Sequence, residues 1–257
     1  MGTNLGTVVI SFIQGIGELL PVSSAVNMII AQKFLGLAFF SFSFKIALHV
    51  GSLFAILLYF RSEIADIVVA IFSRKKSVNT TYFWQLVAGT IPVVILGYFA
   101  RDYVKEFDSN KIMGFSCIFF GILLYVIDKI SVNPKKSEIS TSKAFIVGIF
   151  QALAIFPGIS RLGICITSGR MLSLGRKKAI SFALFLAVPS ILGSLCLELC
   201  KTPRPLEIFS GNNLYGMIIT AIISIIAIIP CVKFMEKKGF LGLSIYRCCI
   251  GIFLYFL

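Results

Sequence analysis

Two long apolar runs in this chain are broken near their centres by residues that hydrocarbon does not tolerate. Residues 7–33 are interrupted by Gly15, Gly17, Glu18 and Pro21, and residues 144–174 by Pro157, Gly158, Arg161 and Gly163. Freed backbone groups and an ionised side chain need partners inside a bilayer, so each run is expected to bend back on itself as a re-entrant hairpin facing a protein-lined cavity. The surroundings support a membrane: the 257 residues are 58% hydrophobic and 14% charged, where soluble domains carry about 45–50% apolar and about 25% charged residues. Disorder is excluded because a chain with 25 Phe must bury them somewhere.

Between and after the hairpins lie six unbroken runs, at residues 46–60, 82–100, 112–127, 179–199, 214–232 and 240–257. The loops between them set the orientation. Residues 61–81 carry Arg61, Arg74, Lys75 and Lys76 against Glu63 and Asp66, whereas residues 101–111 balance Arg101, Lys105 and Lys111 with Asp102, Glu106 and Asp108. Basic loops stay on the cytoplasmic side, so the first is expected inside and the second outside. On the same count 128–143, Arg176-Lys177-Lys178 and 233–238 are inside, and the nearly neutral 201–213 is outside. The net charge of +13 is then a topological signal, with no nucleic acid implied. No Lys or Arg precedes Lys33 and no small-residue cleavage site follows a short apolar core, so a removable signal peptide is not expected. The seven Cys show no CxxC spacing and are read as small hydrophobes.

The first hairpin thus has both ends outside and the second both ends inside. A hairpin plus three spans, repeated after an odd number of spans, gives a second half inserted upside down. The predicted fold is an all-α polytopic membrane protein, one integral membrane domain over 1–257. It contains an inverted-topology repeat, the first half about 1–130 and the second about 140–257. Local echoes agree: Pro21-Val-Ser-Ser24 with Pro157-Gly-Ile-Ser160, and Gly121-Ile-Leu-Leu-Tyr125 with Gly251-Ile-Phe-Leu-Tyr255. Inverted repeats with broken helices place a binding site where the interruptions meet, near the midplane. That site is expected to be built from residues 18–27 and 157–165.

Glu18 and Arg161 are therefore expected to face a shared polar cavity and to pair with each other or with a ligand. An arginine fork matches phosphate oxygens, helix N-termini add N–H donors, and a serine beside a carboxylate can act on phosphorus. Gln14, Ser23, Ser24, Asn27 and Ser160 stand with them at the interruptions. A phosphate inside a membrane belongs to a lipid headgroup. Plainer roles exist for each: the serines can satisfy carbonyls of a bent helix, and Glu18 with Arg161 can be a structural pair. His49, the only histidine, falls in an unbroken span where packing or hydrogen bonding is the simpler reading, with general base as the functional one. Arg247 is expected to be structural, away from both interruptions, and 34–44 to be an interfacial amphipathic segment.

Gln14-Gly-Ile-Gly-Glu18-Leu-Leu-Pro-Val-Ser-Ser24-Ala-Val-Asn27 and Phe156-Pro-Gly-Ile-Ser-Arg-Leu-Gly163 resemble the two signature motifs of the bacitracin-resistance type undecaprenyl-diphosphate phosphatases. The resemblance extends over nearly the whole chain. It implies an integral hydrolase of the bacterial cytoplasmic membrane, with its site open to the outer face. Such an enzyme removes one phosphate from undecaprenyl diphosphate, recycling the carrier for peptidoglycan synthesis and giving bacitracin resistance. It further implies Glu18, Ser24 and Arg161 as catalytic, Ser23, Asn27, Ser160 and Gln14 as substrate-binding, and a divalent cation (Mg or Ca) held by Glu18. Membrane lipids are the surrounding partners, and a homodimer is left open. Five motif positions depart from the family pattern: Gln14 replaces a glutamate, Asn27 a histidine, Leu162 a small polar residue, Cys165 a threonine and Ser181 a glutamate. Losing a carboxylate and an imidazole bears on proton transfer, and His49 could replace the lost imidazole. The alternative readings are a transporter or flippase of undecaprenyl phosphate or another anionic lipid, and a catalytically impaired family member.

Overall fold

The computed structural model describes residues 2–37, 40–73, 77–104, 109–131, 138–201 and 205–257, and among these it is helical with no strand. The first broken run folds into α1 (Gly2–Gly17) and α2 (Ser24–Phe34), and the second into α7 (Thr141–Ala152) and α8 (Arg161–Met171), with a 3-10 turn over Leu153–Ile155. Each is the hairpin expected from its Pro and Gly interruptions. The remaining helices are α3 (Phe42–Tyr59), α4 (Arg61–Phe72), α5 (Val78–Val104), α6 (Asn110–Ile130), α9 (Arg176–Lys201), α10 (Gly211–Lys238) and α11 (Leu241–Phe256). Serines start four of them through side-chain caps, Ser41 to Phe44 N, Ser109 to Ile112 N, Ser140 to Lys143 N and Ser160 to Gly163 N, each at 3.1–3.2 Å.

Among the described residues, five helices are long and apolar enough to cross a membrane: Phe42–Tyr59, Val78–Ala100, Asn110–Ile130, Arg176–Cys200 and Gly211–Lys238. The chain is a multi-pass membrane protein. The sixth expected span, α11, has 16 residues. At 1.5 Å per residue that is about 24 Å, short of the hydrocarbon thickness.

One stretch differs from the sequence reading. Residues 61–72, taken as part of a loop, form α4, because Ile64, Ile67, Val68 and Ile71 recur at helical spacing and line one apolar trough. Along the segment 34–44, α2 ends at Phe34, Gly36 adopts φ 58° and turns the chain, and helix resumes at Phe42. Within it, 38–39 lie outside the described residues, as do the loop charges at Arg74, Lys75, Lys76, Lys105, Glu106, Asp108, Lys135 and Lys136.

The hairpins pack crosswise. α1 lies against α10, where Ser224 Oγ donates to the Gly15 carbonyl at 2.9 Å, and α7 lies against α5, where Gln151 Nε2 donates to the Gly89 carbonyl at 3.3 Å. α3 runs beside α10, and α6 beside α11. The α6–α11 contact needs two glycines: a Cβ on Gly114 would sit 2.6 Å from the Gly251 carbonyl, and one on Gly251 would sit 2.7 Å from the Gly114 carbonyl. The core between the hairpins and α9 holds Leu19, Leu162, Ile166, Ala183, Leu186 and Ala187, all buried.

Candidate active site

The turn of the first hairpin brings Glu18 out of α1 just where the helix stops, and Ser23 adopts a left-handed conformation (φ 60°, ψ 84°) before α2 begins at Ser24. The second hairpin reaches its turn through Gly158 (φ 89°), which lies so close to α6 that a Cβ would sit 2.4 Å from the Met113 carbonyl. Ser160 then caps α8 and sets Arg161 as its first residue. One turn delivers a carboxylate and the other a guanidinium. Arg161 Nη2 donates to Glu18 Oε1 at 2.5 Å.

The other carboxylate oxygen, Oε2, lies 3.1 Å from His49 Nδ1 on α3 and accepts from Gln14 Nε2 at 3.0 Å. Gln14 Nε2 is also 3.0 Å from His49 Nδ1, so three polar atoms form a closed triangle. The proton on His49 decides its wiring: with Nδ1 protonated the imidazole donates to Glu18, and with Nδ1 bare it accepts from Gln14. Gln14 and Glu18 are buried, and the His49 side chain is 32% exposed.

These groups border a cavity of about 770 Å³ whose walls include Glu18, Ser23, Ser24, His49, Ser160 and Arg161. Arg161 Nη1 is buried there without a hydrogen-bond partner, so a strong donor is left for a ligand in an environment where an unpaired charge is costly. The two interruptions thus meet, as their composition predicted. Gln14 lies behind the carboxylate, off the cavity wall. Asn27 is also off the wall: its Nδ2 donates to the carbonyls of Val22 (3.1 Å) and Ser23 (2.9 Å), and its Oδ1 accepts from Tyr246 Oη. It fastens the start of α2.

Arg247 is corrected in position. It is fully buried between the two hairpin turns, with Nη1 donating to the Pro21 carbonyl at 3.4 Å and Nη2 to the Gly158 carbonyl at 3.3 Å. Sequence distance from both motifs hid this, because α11 returns to them through its packing on α6 and α2.

Four further wall residues were not singled out. Gln151 accepts from Ser190 Oγ at 3.4 Å, and Glu198 accepts from Ser43 Oγ at 2.6 Å. Ser190, Ser194 and Glu198 stand at i, i+4 and i+8 on α9 and all line the cavity. That spacing of polar residues in an apolar helix was a readable signal.

Among the described residues, no group of three His, Cys, Asp or Glu could hold a metal by itself. Glu18 Oε1 keeps a spare lone pair beside Arg161, and Oε2 keeps one when His49 Nδ1 carries no proton, so the donor set fits a hard cation that arrives on phosphate oxygens and takes one protein carboxylate.

Comparison with known proteins agrees with this geometry. The family model described as "Bacitracin resistance protein BacA" matches residues 7–253. Curated relatives named undecaprenyl-diphosphatase include one from Caldicellulosiruptor bescii, 33% identical over 248 residues (95% of this chain, 94% of the relative). Another, from Alteromonas mediterranea, is 32% identical over 257 residues (95% and 94%), and one from Campylobacter concisus is 33% identical over 258 residues (97% and 97%). With Glu18, Ser23, Ser24, Ser160 and Arg161 of the two hairpins gathered on one cavity and the family match covering residues 7–253, the chain belongs to the bacitracin resistance protein BacA family.

Proposed function

We propose that this chain hydrolyses undecaprenyl diphosphate to undecaprenyl phosphate and inorganic phosphate, returning the lipid carrier to cell-wall synthesis and conferring bacitracin resistance. The observation that carries the reading is Arg161. One side of its fork is fixed by Glu18, and the buried Nη1 is free to bind the diphosphate. The N-terminus of α8 adds its positive end to the same spot. This favours hydrolysis over lipid transport, because the donors sit beside a carboxylate and an imidazole able to move a proton.

In the reaction a water attacks the terminal phosphorus, the bond from that phosphorus to the bridging oxygen breaks, and undecaprenyl phosphate leaves. The proton lost by water passes to the Glu18–His49 pair. Among the described residues Ser24 Oγ makes no hydrogen bond to either of these groups, and we assign it to orienting the water or the terminal phosphate. Arg161 neutralises charge on the diphosphate as it builds on the leaving oxygen. Gln14 holds Glu18 and His49 in register, where a second carboxylate would instead repel Glu18. Ser160 positions Arg161. A divalent cation bound by Glu18 and the substrate would add charge neutralisation.

The cavity walls reach Phe42 at the start of α3, Tyr98 towards the end of α5 and Glu198 towards the end of α9, and we take this end as the mouth. Arg61 follows the other end of α3, and Arg176, Lys177 and Lys178 begin α9. Charge bias therefore favours a mouth on the outer face of the bacterial cytoplasmic membrane. The crosswise packing of α1 on α10 and of α7 on α5 supports an inverted repeat, since each hairpin pairs with the second span of the other half.

The test is phosphate release from undecaprenyl diphosphate by the purified protein in detergent, with and without Mg²⁺, beside Arg161→Ala and Glu18→Gln. Release by the wild type and its loss in both variants is expected. A wild type that stays silent while a relative with the full motif turns over would overturn the reading.

A further inference from the structure

A second cavity of about 540 Å³ lies end to end with the first. Three helices line both. Along α9 the polar cavity takes Pro189 to Glu198 and the second takes Phe185 to Leu192, while along α5 the polar cavity begins at Val93 and the second ends at Ile95. On α3 the polar cavity holds Phe42, Ile46 and His49, and the second holds Leu57, two turns further on. They share Val94 and Pro189 as a common waist. The far wall is the apolar face of α4, the helix that interrupts an otherwise loop-like stretch.

Among the described residues, the second cavity has no polar group to offer. Thr90 is its one polar lining residue, and its hydroxyl is already donated to the Leu86 carbonyl at 2.7 Å. One proline, Pro189 inside α9, stands at the waist, and a second, Pro92 inside α5, lies two residues before Val94. Each removes one helical hydrogen bond and crowds the carbonyl four residues back, which keeps the facing helices from closing on each other. Ile91, Val94 and Ile95 are exposed along one side, so the trough opens laterally toward lipid. An elongated site that is charged at one end, dry at the other and open on its flank fits an amphiphile with an anionic head and a long apolar tail.

We propose that this trough between α3, α4, α5 and α9 holds isoprene units of the substrate's tail, and that it makes the chain select long polyprenyl diphosphates over short ones. The proposal rests on the phosphatase reading. The tail enters sideways past Ile91 and Val94, and the diphosphate never crosses the apolar half. Each isoprene unit that passes the waist removes apolar surface from its former surroundings and adds contacts, so kcat/KM rises with tail length until the trough is full.

Two measurements test it. The first compares kcat/KM for undecaprenyl diphosphate and for dimethylallyl diphosphate, whose tail is one isoprene unit, in the wild type, Val87→Trp and Ile91→Trp. Ile91 is 44% exposed, so the second variant keeps its packing if the first fails to fold. The bulky side chains are expected to lower the long-tail value about tenfold and leave the one-unit value within about twofold. Equal losses on both substrates, or none on either, overturn the proposal. The second places a photoreactive benzoylphenylalanine at Val87, and separately at Phe119 on the exposed face of α6, and crosslinks labelled undecaprenyl phosphate. A crosslink at Val87 alone, competed by unlabelled undecaprenyl phosphate and not by phosphatidylglycerol, is expected. Equal competition by phosphatidylglycerol would make the trough a seat for bilayer acyl chains and overturn the proposal. The crosslink needs no turnover: labelling at Val87 in a protein that releases no phosphate sinks the phosphatase reading alone, and phosphate release without labelling sinks the trough alone.

Discussion

Arg161 Nη2 meets Glu18 Oε1 at 2.5 Å across 143 positions of sequence, and this contact ties the two hairpins at the chemistry they share. Both side chains are largely buried, at 19% and 7% exposed. Arg161→Lys keeps the charge and loses the fork, since a lysine cannot hold Glu18 and present a second donor along fixed directions. We expect phosphate release by Arg161→Lys to fall about 10²-fold or more, the size of effect seen when one oxyanion-stabilising donor is lost. Steady-state phosphate release at saturating lipid checks it, and wild-type kcat in this variant would mean that the fork is not used.

His49 acts on the same carboxylate from the opposite side, at 3.1 Å. His49→Gln can keep hydrogen bonds to Gln14 and Glu18 but has no ring nitrogen to take a proton from water, so it should lose about 10²-fold in kcat. Steady-state phosphate release by the purified variant checks it, and wild-type kcat in His49→Gln would assign the proton to another group.

Much of this was legible because each signal was local. Pro21 and Pro157 within apolar runs marked the hairpins, and a charge beside each marked the cavity. What was not legible depended on returns of the chain. Arg247 sits in an unbroken helix with no motif near it, and the packing of α11 on α6 and α2 carries it between Pro21 and Gly158. Asn27 occupies a motif position, and its spacing alone could not show that its amide is used up on Val22, Ser23 and Tyr246. The α4 helix was hidden by the flanking charges of a basic loop, although Ile64, Ile67 and Ile71 carried its period.

Asn27 then has a structural expectation of its own. Asn27→Ala removes the bonds to two carbonyls and strands the Tyr246 hydroxyl, each net bond being about 1 kcal/mol. Thermal unfolding in detergent should shift down by several degrees, while KM for the lipid stays within about twofold because the residue is off the cavity wall. A large KM change with unaltered stability would return Asn27 to substrate binding.

At the other end of α6, Asp128 is held by two arginines. Arg170 Nε donates to it at 3.0 Å, and Arg176 binds it through Nε and Nη2 at 2.7–3.0 Å, with Arg170 further donating to the carbonyls of Leu174, Asp128 and Ser131. Asp128 and Arg170 are buried, so Asp128→Asn leaves two guanidiniums facing each other without their counter-charge. Removing one partner of a buried pair costs about 3–5 kcal/mol. The arginines tie the ends of α6 and α8 to the start of α9, and none of the three residues lines the polar cavity. Asp128→Asn should therefore lower the yield of folded protein and its unfolding temperature, yet leave phosphate released per folded molecule close to wild type. Fluorescence-detected size exclusion gives the folded fraction against which activity is normalised. Lost activity in fully folded protein would mean that this cluster governs the site from a distance.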